Sequence, residues 1–310
     1  MTLPKLFWGC LILVLAIDIQ GCGLSTAQRK EIENFGQSAT TLGASGKEQL
    51  ISSRELVIDM KSYRLAIEKF VLPAYPAGNA MSPRDYYFLK SLDLDAGLDP
   101  KDMDVRVAAV DLLHQYGKLL VAFTTESHEK AIKDSSNAFV KSVTAFPRNP
   151  MTTDEINGLG RIVTSIGGIL TEHWKKDALE QVVPMVAPLI DMLCNNLEKD
   201  FDPRQNGIYG SMNTVQDRLA SAAIEGLKMP GDSSRDRLMM IDGFAMAEKA
   251  RGTLTTTSSQ LLKAIASLRK ANRQLSEVIS SHKVGFNDIK EFGQDVADLS
   301  KGITPYFKRF

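Results

Sequence analysis

The feature that most constrains the fold is a set of long stripes in which apolar residues recur at alternating spacings of three and four. This spacing places the apolar side chains on one narrow face of an α-helix, as in the seam of a coiled coil. Period-two alternation, which would indicate strands, is hard to find. We therefore predict an all-α protein, an elongated antiparallel bundle of about five to seven helices with coiled-coil-like seams. The stripes run through residues 32–70, 105–146, 156–173, 179–197 and 240–282.

The predicted helix boundaries coincide with segments that carry proline, most of them with glycine, aspartate or asparagine as well, which are residues that end helices. Thr152 or Thr153, followed by Glu155, predicts a capped N-terminus for the helix that starts there. Asp232 or Ser233 predicts the cap of the last long helix. The breaks fall at residues 72–83, 92–102, 147–150, 201–210 and 229–234.

The three longest stripes each lose their apolar residues near mid-length, at residues 46–53, 124–130 and 251–259. In an antiparallel arrangement these interruptions would fall at one level of the bundle. They indicate either a polar layer inside the bundle or a break that divides each long helix into two. Gly43 and Gly46 favour a break in the first of them.

The two ends of the chain share a pattern, and a short terminal helix is predicted over residues 287–299. Ile32–Leu42 (IENFGQSATTL) and Ile289–Leu299 (IKEFGQDVADL) carry Ile, Phe, Gly, Gln and Leu at identical spacing. One explanation is chance, because two helices with the same heptad pattern can share such residues without being neighbours. Alternatively, the first and last helices are neighbours, with Gly36 and Gly293 allowing their backbones to approach closely.

The N-terminus has the organisation of a secretory signal peptide. Lys5 precedes an apolar run of 12 residues, Leu6–Ile17, which Asp18 closes. That length fits the apolar region of a signal peptide, whereas a membrane-spanning helix needs about 20 residues. The small residue Gly21 then stands where a cleavage site is expected, immediately before Cys22.

The sequence Ile19-Gln20-Gly21-Cys22 resembles the bacterial lipobox, Leu-(Ala/Ser)-(Gly/Ala)-Cys. Ile19, Gly21 and Cys22 fit the pattern, and Gln20 departs from its usual small residue. The resemblance covers the first 22 residues and implies cleavage between Gly21 and Cys22, with lipid attachment, including palmitate-type acyl chains, at Cys22. The alternatives are a secreted protein cut after Gly21 and an uncleaved N-terminal anchor.

The cysteines favour the lipid interpretation. Cys10 would leave with the signal peptide, so the mature chain keeps Cys22 and Cys194. Cys194 lies beside an apolar stripe, where a free cysteine is usually a small buried hydrophobe. A disulfide would have to join the extreme N-terminus to the middle of the chain. Acylation of Cys22 instead removes an exposed thiol, and several acyl chains suffice for stable anchoring.

These features predict the organisation and location of the protein. Residues 1–21 are the predicted signal peptide, residues 22–25 the lipidated cysteine with a short tether, and residues 26–310 a single elongated domain. We expect the protein in the bacterial cell envelope, in the periplasm, held to the bilayer by its acyl chains. Gly23 is not Asp, which favours the outer membrane in a cell with two membranes.

The histidines give no metal site. Asp111 and His114, at i and i+3, would form half of a helical metal site, but the sequence has no second Glu-x-x-His-type pair. We expect a capping or surface pair there. His173 and His282 each end an apolar stripe, which is typical of a partnered, partly buried imidazole. His128 lies within a cluster of charged residues.

Catalytic motifs are missing from the sequence as well. Gly43–Lys47 (GASGK) has two residues between its glycines where a phosphate loop needs four, and no hydroxyl residue follows the lysine. The sequence has no Gly-x-Ser-x-Gly, His-Glu-x-x-His or Cys-x-x-Cys motif. We predict that the protein is not an enzyme and takes no cofactor beyond the lipid at Cys22.

One apolar region, residues 162–193, offers a membrane-inserting hairpin as an alternative to a buried hairpin at the centre of the bundle. Its glycines permit bending, and each proline lacks an N–H and would kink or start a helix. Neither half is long enough to span a bilayer. The residues proposed for such a hairpin are Ile162, Ile166, Gly167, Gly168, Val183, Pro184 and Pro188.

A polar residue interrupts the last long stripe at Asn272, which is flanked by Leu268, Leu275 and Ile279. A single buried asparagine at such a position costs stability and fixes register or partner choice. It predicts either a pairing within the bundle or a seam offered to a second chain.

The composition narrows the function further. Lys and Arg number 37, as do Asp and Glu, so the chain has no net field that would attract nucleic acid. We expect a binding, scaffold or spacer module that acts on an unidentified envelope protein through its helical surfaces. A membrane-inserting effector and a helical ligand sensor are the alternatives, and the sequence leaves the oligomeric state open.

Overall fold

A computed structural model of the chain describes residues 23–69, 92–95, 98–125, 129–147, 149–164, 171–230, 233–280 and 285–302. Helix accounts for 88% of the described residues, which contain no strand. The predicted all-α bundle is confirmed. The helices are α1 (Thr26–Ile67), α2 (Pro100–Thr125), α3 (Glu129–Ala145), α4 (Thr153–Thr164), α5 (Glu172–Phe201), α6 (Ile208–Lys228), α7 (Ser234–Ser280) and α8 (Asn287–Gly302).

The number of helices exceeds the prediction for two reasons. The second apolar stripe divides between α2 and α3, because α2 ends at Thr125 and α3 begins at Glu129. The helix α6 corresponds to none of the predicted stripes. Its buried face carries Ile208, Met212, Val215 and Leu219 at the same alternating spacing, although the helix has only 21 residues and also buries Gln216, Ala220 and Ala223.

Two long antiparallel helices form the axis of the bundle. α1 has 42 residues and α7 has 47, which correspond to lengths of about 63 Å and about 70 Å. Near one end, Nε2 of Gln28 donates a hydrogen bond to the carbonyl of Val278. Towards the other end, Ile67 of α1 lies against Gly243 of α7. The remaining helices pack around this pair.

The helices are distributed unequally along the axis. In what we call the proximal section, which contains residues 26–53 of α1 and residues 254–280 of α7, α2 and α8 pack on α1, α5 and α8 pack on α7, and α3 and α4 form an outer layer. In the distal section, residues 54–67 of α1, the helix α6 and residues 234–253 of α7 pack against one another. The N-terminal residue that the structure describes, Gly23, lies in the proximal section, beside Glu172.

Glycines bring α1 and α2 into backbone contact. A Cβ atom added to Gly117 would lie 2.4 Å from the carbonyl oxygen of Gly36, and one added to Gly43 would lie 2.6 Å from the carbonyl oxygen of Val110. Any larger side chain at these positions would separate the helices. This close approach buries the apolar stripe of α2 against α1 over most of its length.

The interruptions in the apolar stripes have two different structural outcomes. α1 and α7 run unbroken through theirs, and Gln49, Ser53 and Ser258 are buried inside the bundle as a polar layer. The Tyr209 hydroxyl donates to Oε1 of Gln49 over 3.3 Å, and Ser258 Oγ donates to the Phe201 carbonyl over 2.7 Å. The interpretation of a break is therefore wrong for these two helices.

In the second stripe the interruption is a break between helices. It also lies at a different level, because α2 runs antiparallel to α1 and its end at Thr125 lies near the beginning of α1. The polar layer consequently marks the boundary between the proximal and distal sections rather than a level crossed by all the long helices.

The first and last helices are neighbours, as the shared pattern at the two ends indicated. The rings of Phe35 and Phe292 are 5.4 Å apart, in contact between α1 and α8. The role expected of the glycines is wrong, however. Gly36 faces α2, and a Cβ added to Gly293 would lie 3.6 Å from Ser38 Oγ, an ordinary contact distance. Aromatic packing joins these helices instead.

The predicted caps are confirmed where the structure describes them. Thr152 Oγ1 accepts from the backbone N–H of Glu155, whose carboxylate accepts in return from the Thr152 N–H, at the start of α4. Ser233 Oγ accepts from the N–H of Asp236 at the start of α7. Asp232 lies outside the described residues.

Candidate functional site

The predicted lipid attachment site, with Gly21 and Cys22, lies outside the described residues, which begin at Gly23. Leu24 is buried in the core, and a Cβ added to Gly23 would lie 3.2 Å from the Cβ of Glu172. Ser25 caps α1 through its side chain. The chain is therefore packed into the bundle from Leu24 onwards, two residues after Cys22.

The predicted partner seam lies in the interior of the bundle. Asn272 is 1% exposed, and its Oδ1 accepts a hydrogen bond from the Tyr116 hydroxyl of α2 over 3.3 Å. Leu268, Leu275 and Ile279 are buried as well. This arrangement corresponds to pairing within the bundle, so the seam is not a free surface for a second chain. Burial raises the pKa of Tyr116 well above its ordinary value, which keeps the hydroxyl protonated as a donor.

The residues of the predicted apolar hairpin divide between two helices. Val183 of α5 is buried in the core, and Ile162 of α4 is partly buried against the core. α5 continues through Pro184 and Pro188, both on its exposed face, so neither proline starts a helix, which was one of the two expected outcomes, the other being a kink. Within the described part of the chain, no helix is long and apolar enough to cross a membrane. Ile166, Gly167 and Gly168 lie outside that part.

The two histidines in the described part of the chain, His114 and His173, have partners within the protein. Nδ1 of His114 lies 2.9 Å from the Thr40 carbonyl, so His114 joins α2 to α1 and the expectation of a capping or surface pair with Asp111 is wrong. His173 is exposed rather than partly buried, with its Nε2 3.4 Å from the Asp177 carboxylate. The described residues contain no group of side chains that could hold a metal ion. His128 and His282 lie outside them.

Cys194 is buried, as predicted from its place beside an apolar stripe. Burial raises the pKa of its thiol to about 12, although Arg269 acts in the opposite direction. The thiol is therefore protonated at neutral pH and is not a nucleophile.

A feature that the sequence did not predict lies in the distal section. A cavity of about 750 Å³ opens between the last turns of α1 and the helix α6, and residues of both helices form its walls. We call it the distal groove. Its apolar lining includes Ile67, Ala222, Met229 and Met240, and charged residues of α1 and α6 surround this lining.

Exposed large hydrophobic residues concentrate at the turn between α6 and α7, which contributes Met229 to the distal groove. Ile224, Met229, Leu238 and Ile241 are 41%, 62%, 59% and 52% exposed, and they account for four of the six large hydrophobic residues that are exposed in the described part of the chain. All four belong to the turn between α6 and α7 or to the helix ends that flank it. Clustered exposed hydrophobic residues of this kind mark interaction surfaces.

The acidic side chains of the groove already have partners. Glu68 lies 3.6 Å from Arg64, Asp217 lies 3.2 Å from Arg251, and Glu225 lies 2.8 Å from Lys228. These pairs neutralise the carboxylates that line the distal groove.

Arg218 differs from these residues. It is exposed, it lines both the distal groove and an adjoining cavity of about 280 Å³, and it forms no ion pair with any residue that the structure describes. The adjoining cavity also receives Lys61, which is paired with Asp93. Among the residues that the structure describes, the groove therefore combines an apolar floor with an arginine, Arg218, that forms no ion pair.

Sequence reasoning missed this site because it missed α6, which forms one wall. A signal was present nonetheless. Four of the 12 methionines of the chain fall within residues 229–246, and methionine is enriched at adaptable binding surfaces. No protein-family model, curated protein or solved structure matches this chain.

Proposed function

We propose that the protein is a lipid-anchored scaffold of the bacterial cell envelope, which binds an envelope protein at its distal end. The lipobox-like sequence before Cys22 supports the anchor. The burial of Leu24 supports a tether too short to let the bundle move far from the bilayer. The absence of Asp at position 23 favours the outer membrane where two membranes are present.

The observation that carries the proposal is the separation of the anchor from the distal groove. Gly23 lies at the beginning of α1, and Ile67, which lines the groove, ends the same helix. The 42 residues of α1 place the two about 63 Å apart. A rod with a lipid at one end and an apolar groove at the other is suited to holding a partner away from the membrane.

Substitution of the lipidated cysteine tests the anchor. In the native cells, we expect the full chain and the control Cys194→Ala to fractionate with membranes, and Cys22→Ser to lose that association. The control removes the other cysteine of the mature chain and leaves the lipobox intact. Mass spectrometry of the mature N-terminus should show acyl chains on Cys22. An unmodified Cys22 with a free α-amine would refute the anchor.

A further inference from the structure

We infer that the distal groove binds an amphipathic α-helix of a partner protein, and that acidic residues of that helix flank its apolar face. The inference rests on the proposed scaffold function and names the kind of partner that the scaffold holds. It depends on the shape of the groove, on its lining and on its charge.

The shape and lining favour a helix. Two neighbouring helices, α1 and α6, form the walls, and a third helix contributes Met240 to the lining. The space beside two parallel-packed helical walls accepts another helix, whose apolar side chains recur at i, i+3, i+4 and i+7. Met229 is 62% exposed, flexible and polarisable, so it adapts to the side chains of such a helix.

The charge favours acidic residues on that helix. The carboxylates of Glu68, Asp217 and Glu225 already face cations of the same chain. Arg218 lines the groove and forms no ion pair with any residue that the structure describes. Arginine at an interface pairs well with carboxylates, because its guanidinium offers two parallel N–H donors.

A photo-crosslinker placed in the groove tests this inference. We would incorporate p-benzoylphenylalanine at Ser221, an exposed residue that lines the groove, in the full chain expressed in its native cells. The same residue at Lys270, an exposed position of the proximal section, serves as the control. Mass spectrometry then identifies the crosslinked peptide and the residues attached to it.

We expect crosslinks from position 221, and not from position 270, to one face of a helix with apolar residues at helical spacing and Asp or Glu beside them. Arg218→Glu should lower the crosslink yield at least fivefold, whereas Arg237→Glu, an exposed arginine outside the groove lining, should leave it unchanged. Circular dichroism of both variants should show unchanged helix content, since both positions are on the surface.

Several results would overturn the inference. The first is crosslinking only to lipid, to a second copy of the chain or to another part of the same chain. The second is a crosslinked partner segment that is rich in Lys and Arg. The third is a crosslink yield from position 221 that is no greater than the yield from position 270. Failure of the anchor is a separate result, because the mass of the mature N-terminus reports it and the crosslink from position 221 does not.

Discussion

The proximal and distal sections share α1 and α7 but differ in how they are packed. In the proximal section, aromatic side chains from four helices meet, since Phe35 contacts Phe292 and Tyr116, and Tyr116 contacts Phe139. In the distal section, flexible or small side chains fill the contacts between helices, as where Met240 covers Gly226 and Ile67 covers Gly243.

This difference in packing matches the two roles that we propose for the bundle, anchoring at one end and partner binding at the other. Large rigid side chains and backbone contacts leave the proximal section little freedom to rearrange, which suits the end at which we propose the membrane anchor. Fewer helices and flexible side chains suit the distal section to the partner helix that we infer to bind there. The polar layer of Gln49, Ser53 and Ser258 separates the two.

The largest effect should come from the backbone contact between α1 and α2. Gly117→Ala would place a Cβ atom 2.4 Å from the carbonyl of Gly36, and backbone atoms cannot move aside as the end of a side chain can. We expect the free energy of unfolding to fall by about 3 kcal/mol, at the upper end of overpacking effects. Chemical denaturation followed by circular dichroism measures it.

Gly252→Ala is the matched control for that substitution. Gly252 lies within α7, and a Cβ atom added there has no neighbour within 4 Å. Because alanine favours helix over glycine, this variant should be more stable than the wild type by up to about 1 kcal/mol. If the two variants lost the same stability, the contact between α1 and α2 would not be as close as described.

The second largest effect should come from the buried hydrogen bond of the proximal section. Tyr116→Phe removes the donor and leaves Oδ1 of Asn272 buried without it, so we expect a loss of about 2 kcal/mol. Asn272→Leu in the Tyr116→Phe background should recover part of the loss, because both polar groups are then gone. No recovery would mean that Asn272 has another partner. Thermal denaturation of the wild type and the two variants provides the comparison.

How much could be predicted from the sequence also differs between the two sections. The stripe from Leu254 to Ile279 lies in the proximal section, and its apolar residues at a and d positions are buried as predicted. Strong apolar periodicity is visible in a single sequence because it arises from local spacing. The partner of Asn272 was not predictable, since Tyr116 lies 156 positions away.

The distal section was predicted less well. Arg251 begins the predicted interruption of the last long stripe and is exposed, whereas the residue buried at this level is its small neighbour Ala250. Small residues bury little apolar area, so they leave a weak signal. The groove depends on α6, and its existence reflects how far apart α6 and α1 lie, which local spacing does not encode.

A smaller effect is expected for the distal counterpart of Gly117. Gly243→Ala would place a Cβ atom 2.8 Å from Cδ1 of Ile67 and 3.3 Å from Cδ1 of Leu219, both at the ends of side chains. Rotamer changes can relieve this contact, and alanine favours the helix, so the loss should stay below about 1 kcal/mol. A loss as large as that of Gly117→Ala would show that the distal section is packed as rigidly as the proximal one. The same denaturation experiment measures both.

The smallest effect concerns the turn between α5 and α6, where the chain passes from one section to the other. The Arg204 guanidinium and its backbone N–H lower the pKa of Asp202 to about 2. Because this pKa is lower in the folded protein than in the unfolded chain, Asp202 stabilises the fold above about pH 4, and this contribution is lost as the pH falls towards 2. Arg204 is 84% exposed, so solvent screens the ion pair and the contribution is small.

Asp202→Asn should therefore lower the unfolding midpoint slightly at pH 7 and leave it unchanged near pH 2, and Arg204→Gln should remove most of the same pH dependence. If Arg204→Gln kept the full dependence, the backbone N–H alone would account for the lowered pKa, and the guanidinium would have no part in holding the turn between the sections.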